Sequence, residues 1–229
     1  MSKHIGIVAC SAEGAALCYR TICAEGSLQL GDHAHPEISM HTPSLSAYVD
    51  CLTRNDIEGV GVLMLSSASK LAAAGAEFLI CPDNTIHQAM SFVLPRSPLP
   101  WLHIAEVVAQ EAKVRSYRKV GILGTHWLVA SDVYPEKLAA NGLQWLRPAP
   151  VQQNRVGNII MDELVYGGCK NESTEYLVTV IRTLKEQGCD SVVLGCTELP
   201  LVINDRNSPL PALDSTRLLA RAALRYALS

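Results

Sequence analysis

The sequence predicts an α/β chain of two similar lobes, each built on a parallel sheet. Short apolar runs bounded by small polar residues alternate with longer segments of helical period. That alternation is the one expected of strands buried on both faces between crossover helices. The chain also resembles itself. KHIGIVAC (3–10) aligns with RKVGILGT (118–125), which places Gly6 on Gly121 at an offset of 115. AAAGAEFLICPDNT (72–85) aligns with KEQGCDSVVLGCTE (185–198), which places Gly75 on Gly188 at an offset of 113. Two matches at nearly one offset imply an internal duplication, and the period is too long for a solenoid repeat.

Taken in order, the strands expected are HIGIVAC (4–10), EISMH (37–41), EFLIC (77–81), WLHIA (101–105), KVGILGT (119–125), LQWLRP (143–148), SVVLGCT (191–197) and LPALD (210–214). Each is short, apolar and followed by small or polar residues, as a buried strand of a parallel sheet should be. The helices expected between them cover residues 12–25, 46–57, 67–76, 107–116, 134–142, 171–188 and 214–228. Several of these stop at a glycine, among them Gly75, Gly142 and Gly188, where a helix C-cap needs a residue without a Cβ.

With 229 residues, 48% of them hydrophobic, and a mean hydropathy of +0.16, the chain can bury one large core or two small ones. The net charge is −3 and no basic run exceeds Arg118-Lys119, so the sequence carries no nucleic-acid or anionic-membrane footprint. A small neutral or acidic molecule is the partner expected. Eight cysteines, at 10, 18, 23, 51, 81, 169, 189 and 196, form no CxxC pair and no zinc spacing. No leader-like segment opens the sequence and no apolar stretch reaches the length of a membrane span, so a soluble cytoplasmic protein with reduced thiols is expected. The first strand-to-helix loop, ACSAEGAAL, is poor in glycine and lacks GxGxxG, which argues against a nucleotide site; no cofactor and no metal are expected.

Function enters through one position. In the duplicated register Asp83 falls on Cys196, again at an offset of 113 (196 − 83). Both residues follow strands, and open α/β sheets bind ligands outside the carboxyl ends of their strands. If the lobes face each other, Asp83 and Cys196 approach one cleft from opposite sides. Two proton-transfer groups on opposite faces of a small substrate suit removal of a proton from carbon and its return on the other side. Fixed donors would then stabilise the developing oxyanion, and Asn84, Thr85, Thr125 and Thr197 are the candidates. Ser11 in the first loop and Thr42 after the second strand are candidates for contacts to a ligand carboxylate. Each residue also has a plainer reading: Asp83 as a helix N-cap, Cys196 as an inert buried thiol. Cys81, two residues before Asp83, is either a structural thiol behind the acid or a base in its place. His87, one turn after Asp83, either orients the site or fills space, whereas His4, His33, His35 and His103 look peripheral.

The segments CPDNTIH, VVLGCTELPLVI, VGILGT and MDELVYGG resemble the aspartate/glutamate racemase family of cofactor-independent amino-acid racemases, over nearly the whole chain. The resemblance implies two Rossmann-like lobes, residues 1–112 with a returning 210–229 and residues 113–209, an active site between them, and a homodimer. Two cysteines normally act in that family. Cys196 matches the second, while Asp83 stands where the first is expected, in Asp83-Asn84-Thr85-Ile86-His87. His87 matches the family histidine, and Lys170 lies near the family's lysine-bearing segment. No arginine follows the second strand, where members present one to a distal carboxylate. Reference pKa values of about 3.9 for Asp and about 8.5 for Cys favour Asp⁻/Cys–SH by about 6 kcal/mol in water. Asp83 is then the resting base and Cys196 the resting acid. Relatives resembling arylmalonate decarboxylases, hydantoin racemases and maleate isomerases share the fold, so decarboxylation or isomerisation is one alternative and non-catalytic amino-acid binding another.

Overall fold

The computed structural model describes residues 2–229. The described residues form two compact units, 2–107 with 216–229 and 108–215. The first unit runs β1 (Ile5–Val8), α1 (Ala12–Leu30), β2 (Ile38–His41), α2 (Leu45–Thr53), α3 (Ile57–Ala73), β3 (Phe78–Ile80), a 3-10 turn (Thr85–Ala89), α4 (Met90–Val93) and β4 (Trp101–Leu102). Helix α5 (Ile104–Val114) leads into the second unit. There follow β5 (Lys119–Leu123), α6 (His126–Ala130), α7 (Val133–Ala140), β6 (Gln144–Leu146), α8 (Pro150–Asp162), α9 (Asn171–Glu186), β7 (Ser191–Leu194) and β8 (Ala212–Asp214). The last helix, α10 (Ser215–Leu228), belongs to the first unit.

The sheets are parallel and share one topology, β2-β1-β3-β4 in the first unit and β6-β5-β7-β8 in the second. All eight expected strands are present, and their register repeats the duplication. Gly6 pairs with Leu79 and Gly121 pairs with Val192, so the central strand pair is the same in both sheets. The turns feeding β3 and β7 match bond for bond. The Ala76 N–H donates to the Leu71 carbonyl and the Cys189 N–H to the Leu184 carbonyl, both at 3.0 Å. Gly75 and Gly188 occupy the left-handed positions of these turns at φ 93° and 88°, where a Cβ would be strained.

The first core joins Ile5, Ile7, Ile22, Phe78 and Ile80 to Leu219, Ala223 and Leu224 of α10. Each fully buried aliphatic side chain contributes about 2 kcal/mol relative to exposure, so α10 is part of this unit's stability. Its end is sewn down by the Lys3 N–H to the Ala227 carbonyl at 2.8 Å, and its middle by Arg221 Nε to both Glu25 carboxylate oxygens at 2.9 Å. The second core packs Leu123, Val192 and Leu194 against Val156 and Ile160 of α8 and Leu177 and Ile181 of α9.

The structure departs from the sequence reading at several helices, and the short α4 and α6 were not expected. The helix expected over 46–57 ends at Thr53, because Asn55 turns left-handed at φ 56° and Asp56 caps a new helix through the Gly59 N–H at 2.8 Å. That new helix, α3, begins at Ile57 and not at Ser67. Helix α8 was not expected at all. After β3 and β7 the chain enters 3-10 turns, Thr85–Ala89 and Leu199–Leu201, where α-helix N-termini were expected. Single 3-10 turns carry little of the aligned dipole of a long helix.

Candidate active site

In the first unit the strand ends bring Ser11, Thr42 and Asp83 to one edge of the sheet, because β1, β2 and β3 run parallel and each residue follows its strand. Ser11 caps α1, its Oγ accepting from the Gly14 N–H at 3.3 Å. Thr42 is exposed and donates to the Pro43 carbonyl at 3.2 Å. The partly exposed Asp83 accepts the Ile86 N–H on Oδ1 at 3.2 Å, so the expected capping role is present, on a 3-10 turn. Asn84 and Thr85 are buried beside it.

His87 has both ring nitrogens engaged. Nδ1 lies 2.7 Å from the Asp83 carbonyl, which can only accept, and Nε2 takes the Ile104 N–H at 3.4 Å. The ring is therefore the neutral Nδ1–H tautomer. Burial, then the His103 ring 4.6 Å away, hold it well below the usual histidine range. Of the two readings, orienting the site or filling space, the bonds fit the first: with both nitrogens used inside the fold, His87 clamps the Asp83 backbone to the start of α5. His103, expected to be peripheral, packs on it. Cys81 is fully buried and donates its S–H to the Asp83 carbonyl at 3.7 Å. Burial, then the Asp83 charge, push its thiol well above the ordinary value, so it is a protonated thiol behind the acid and not a base.

In the second unit the ends of β5 and β7 close on each other through two glycines. The Gly195 N–H donates to the Leu123 carbonyl at 2.7 Å, and a Cβ on Gly195 would stand 2.7 Å from that same oxygen. A Cβ on Gly124 would meet the Gly195 carbonyl at 3.1 Å. Glycine at both positions thus sets Thr125 and Cys196 on adjoining backbone. Thr125 caps α6 by accepting the Leu128 N–H at 3.2 Å.

Cys196, 8% exposed, donates its S–H to Glu198 Oε2 at 2.9 Å, and Thr197 donates its hydroxyl to the same oxygen at 2.7 Å. Glu198 is itself 3% exposed. A buried carboxylate with two convergent donors is satisfied, and it fixes the orientation of both side chains. Sequence reasoning did not single out Glu198, although it follows the Cys-Thr pair directly. Its signal was a charged residue four positions past the end of β7 and two past Cys196. Lys170 is exposed at the start of α9, and its backbone N–H, not its ammonium, bonds Glu163 Oε2 at 2.8 Å. That bond, then Ser173 Oγ on Oε1, hold the Glu163 carboxyl below its usual range.

All eight cysteines are free thiols. Among the described residues no group of three or more His, Cys, Asp or Glu is placed to hold a metal ion, and no helix is long and apolar enough to cross a membrane.

Comparison with known proteins agrees with this architecture. The broad specificity amino-acid racemase RacX of Bacillus subtilis (strain 168) is 26% identical over 164 residues, spanning 70% of this chain and 69% of its own. Among solved structures, a protein of Yersinia pestis assigned to the Asp/Glu racemases superposes with a TM-score of 0.91 at 29% identity, over 99% of this chain and 100% of that one. An aspartate racemase homologue from Pyrococcus horikoshii OT3 gives 0.85 at 27% identity, over 100% of both chains. The profile of the family described as Asp/Glu/Hydantoin racemase matches residues 7–223. The chain therefore belongs to the Asp/Glu/Hydantoin racemase family, and with it to the racemases, a class of isomerase.

Proposed function

We propose that the chain is an aspartate/glutamate-type amino-acid racemase that works without a cofactor, by two-base 1,1-proton transfer between Asp83 and Cys196. The observation that carries this reading is that the two residues hold the same place in the two units and are prepared for opposite proton states. Asp83 accepts a backbone N–H, as a carboxylate does, whereas Cys196 donates its S–H to Glu198. An Asp83 oxygen would take the α-proton as the Cα–H bond breaks, leaving an enediolate-like carbanion. The Cys196 S–H would then deliver its proton to the other face of that carbon, leaving Asp83 protonated and the sulfur as thiolate. Exchange with solvent, or the reverse passage, restores the resting pair.

Asn84 and Thr85 in one unit and Thr125 in the other are the donors proposed for the substrate carboxylate, where charge develops. Thr197 spends its hydroxyl hydrogen on Glu198, so it supports the thiol more than it offers a donor. Ser11, Thr42 and Lys170 are proposed as further substrate contacts at the strand ends and at the start of α9. Glu198 is a positioning residue that aims the thiol. The active form proposed is a homodimer, which sedimentation equilibrium tests.

Incubating each enantiomer of aspartate and glutamate in D₂O with the folded protein, and following the α-proton, tests the chemistry. Deuterium incorporation with inversion is the result expected. Absence of exchange across acidic and small neutral amino acids overturns the reading, and thermal stabilisation by an amino acid without exchange would mark a binding protein instead.

A further inference from the structure

The first unit contains a buried hydroxyl that the proposed mechanism does not use. Tyr48, on the first turn of α2, is completely buried, and its hydroxyl has no hydrogen-bond partner among the described residues. Such a group is costly unless something supplies an acceptor. The charged and titratable groups it faces are Cys81, Cys10 and Asp83, all at the carboxyl ends of β1 and β3.

Behind the phenol stands a chain of groups with a fixed direction. Lys70 Nζ, exposed on α3, lies 3.0 Å from His41 Nε2, and His41 Nδ1 lies 2.9 Å from Ser67 Oγ. An ammonium can only donate, so Nε2 accepts and the Nδ1–H must donate to Ser67. Burial, then the Lys70 charge, hold His41 below its ordinary value, in keeping with a neutral ring. The Ser67 hydroxyl hydrogen is then turned away from His41. Ser67 lies beside the phenol, near enough to ease its ionisation, though no contact between them meets hydrogen-bond geometry. The Lys70–His41 and His41–Ser67 bonds both donate inward from a positive charge, and the Tyr48 hydroxyl lies beyond their inner end without bonding to Ser67.

We infer that Tyr48 is a ligand-binding residue whose hydroxyl donates to a carboxylate oxygen of the bound substrate, at the inner end of the Lys70–His41–Ser67 chain. The neighbouring thiols are weak acceptors, and Cys81 is held protonated, so an anionic oxygen is the partner that this buried, unsatisfied phenol O–H calls for. Burial, first, then the neighbouring Cys81, Cys10 and Asp83 groups, push the phenol well above its usual value, so the proton it donates stays on oxygen at neutral pH. The inference rests on the amino-acid racemase reading only in calling the ligand a substrate.

The probe is acetate, titrated into protein labelled with ζ-¹³C tyrosine at constant ionic strength, with chloride as control. The chain has seven tyrosines, and Tyr48→Phe assigns the resonance. A saturable shift of the Tyr48 signal with acetate and not with chloride is expected. In the exchange assay with aspartate, Tyr48→Phe should raise KM about tenfold or more, with a smaller change in kcat, because a hydrogen bond to a charged group is lost. Ligand-free Tyr48→Phe should melt at or above the wild-type temperature, since it removes an unsatisfied group. Lys70→Met should raise KM about two- to fivefold by the same principle of a weakened charged bond. An unresponsive Tyr48 signal, an unchanged KM, or a lowered Tm in Tyr48→Phe, which would mean that the hydroxyl is paired within the fold, each overturns the inference. Should Tyr48→Phe not fold, the same titration on Ser67→Ala, which perturbs the Tyr48 resonance, decides. A Tyr48 response without α-proton exchange retires the racemase reading and keeps this one; exchange without a Tyr48 response does the reverse.

Discussion

The strand ends of the two units are built on one backbone plan and finished with opposite chemistry. After β3 the chain turns at Asp83 and offers the Ile86 N–H to its carboxylate. After β7 it turns at Cys196 and offers the Glu198 carboxylate as an acceptor. Duplication has thus conserved the place of the reactive group and not its proton. In the proposed mechanism each half serves one step, the first receiving a proton and the second giving one. A pair of identical thiols would need no preset proton states, because neither would be the stronger acid.

The strongest break of this comparison is to remove one partner at a time. Cys196→Ala and Asp83→Asn should each lower net inversion about a thousandfold, within the range that positioned acid/base groups contribute. Each should still exchange the α-proton of one enantiomer, a different one in the two variants, as ¹H NMR in D₂O reads. Loss of exchange from both enantiomers in either variant would show that the residues do not serve opposite faces. Glu198→Gln, which keeps the shape but weakens the hold on the thiol, should lower kcat about a hundredfold, as misplacement of a reacting group does, with KM little changed and Glu198→Asp partly restoring it. Asp83→Cys sharpens the comparison from the other side. By removing an imbalance of about 6 kcal/mol in intrinsic acidity it should raise kcat about tenfold and move the optimum toward alkaline pH.

The smallest effect concerns stability. The buried His87 stays neutral in the folded chain, while the unfolded chain takes up a proton below about pH 6.5. The unfolded state then binds more protons, so stability falls as pH drops below that value, by up to about 1.4 kcal/mol per pH unit for this one group, and is flat above it. His87→Asn should cost about 1–3 kcal/mol at pH 8 through its lost bonds, yet show a shallower decline between pH 6.5 and 5 in urea melts.

Much of this was legible in the chain. All eight strands announce themselves as short apolar runs, and the 113-residue offset that aligns Gly75 with Gly188 also aligns Asp83 with Cys196. The first half of α3 was not legible, because Glu58-Gly59-Val60-Gly61-Val62 looks unlike a helix locally. The glycines there answer tertiary needs: a Cβ on Gly61 would strike Phe92 Cδ1 at 2.5 Å, and one on Gly59 would strike the Asp56 carboxylate at 2.3 Å. Helix α8 hid behind a polar composition and Gly157, whose missing side chain admits the backbone of His126, 3.3 Å from where a Cβ would sit. Asp83 and Cys196 stand out as candidates because the duplication places them at one position in the two units. The Lys70–His41–Ser67 chain with Tyr48 beyond it was not legible, because it gathers residues from a strand and two helices that no spacing rule connects.

The place of α10 has a consequence for how the protein is made. Residues 108–215 are continuous and can complete their sheet as soon as they leave the ribosome. The first unit cannot, since Ile5, Ile22 and Phe78 wait for Leu219 and Leu224 to cover them. The half synthesised first is therefore finished last, its apolar face left uncovered until α10 has been made.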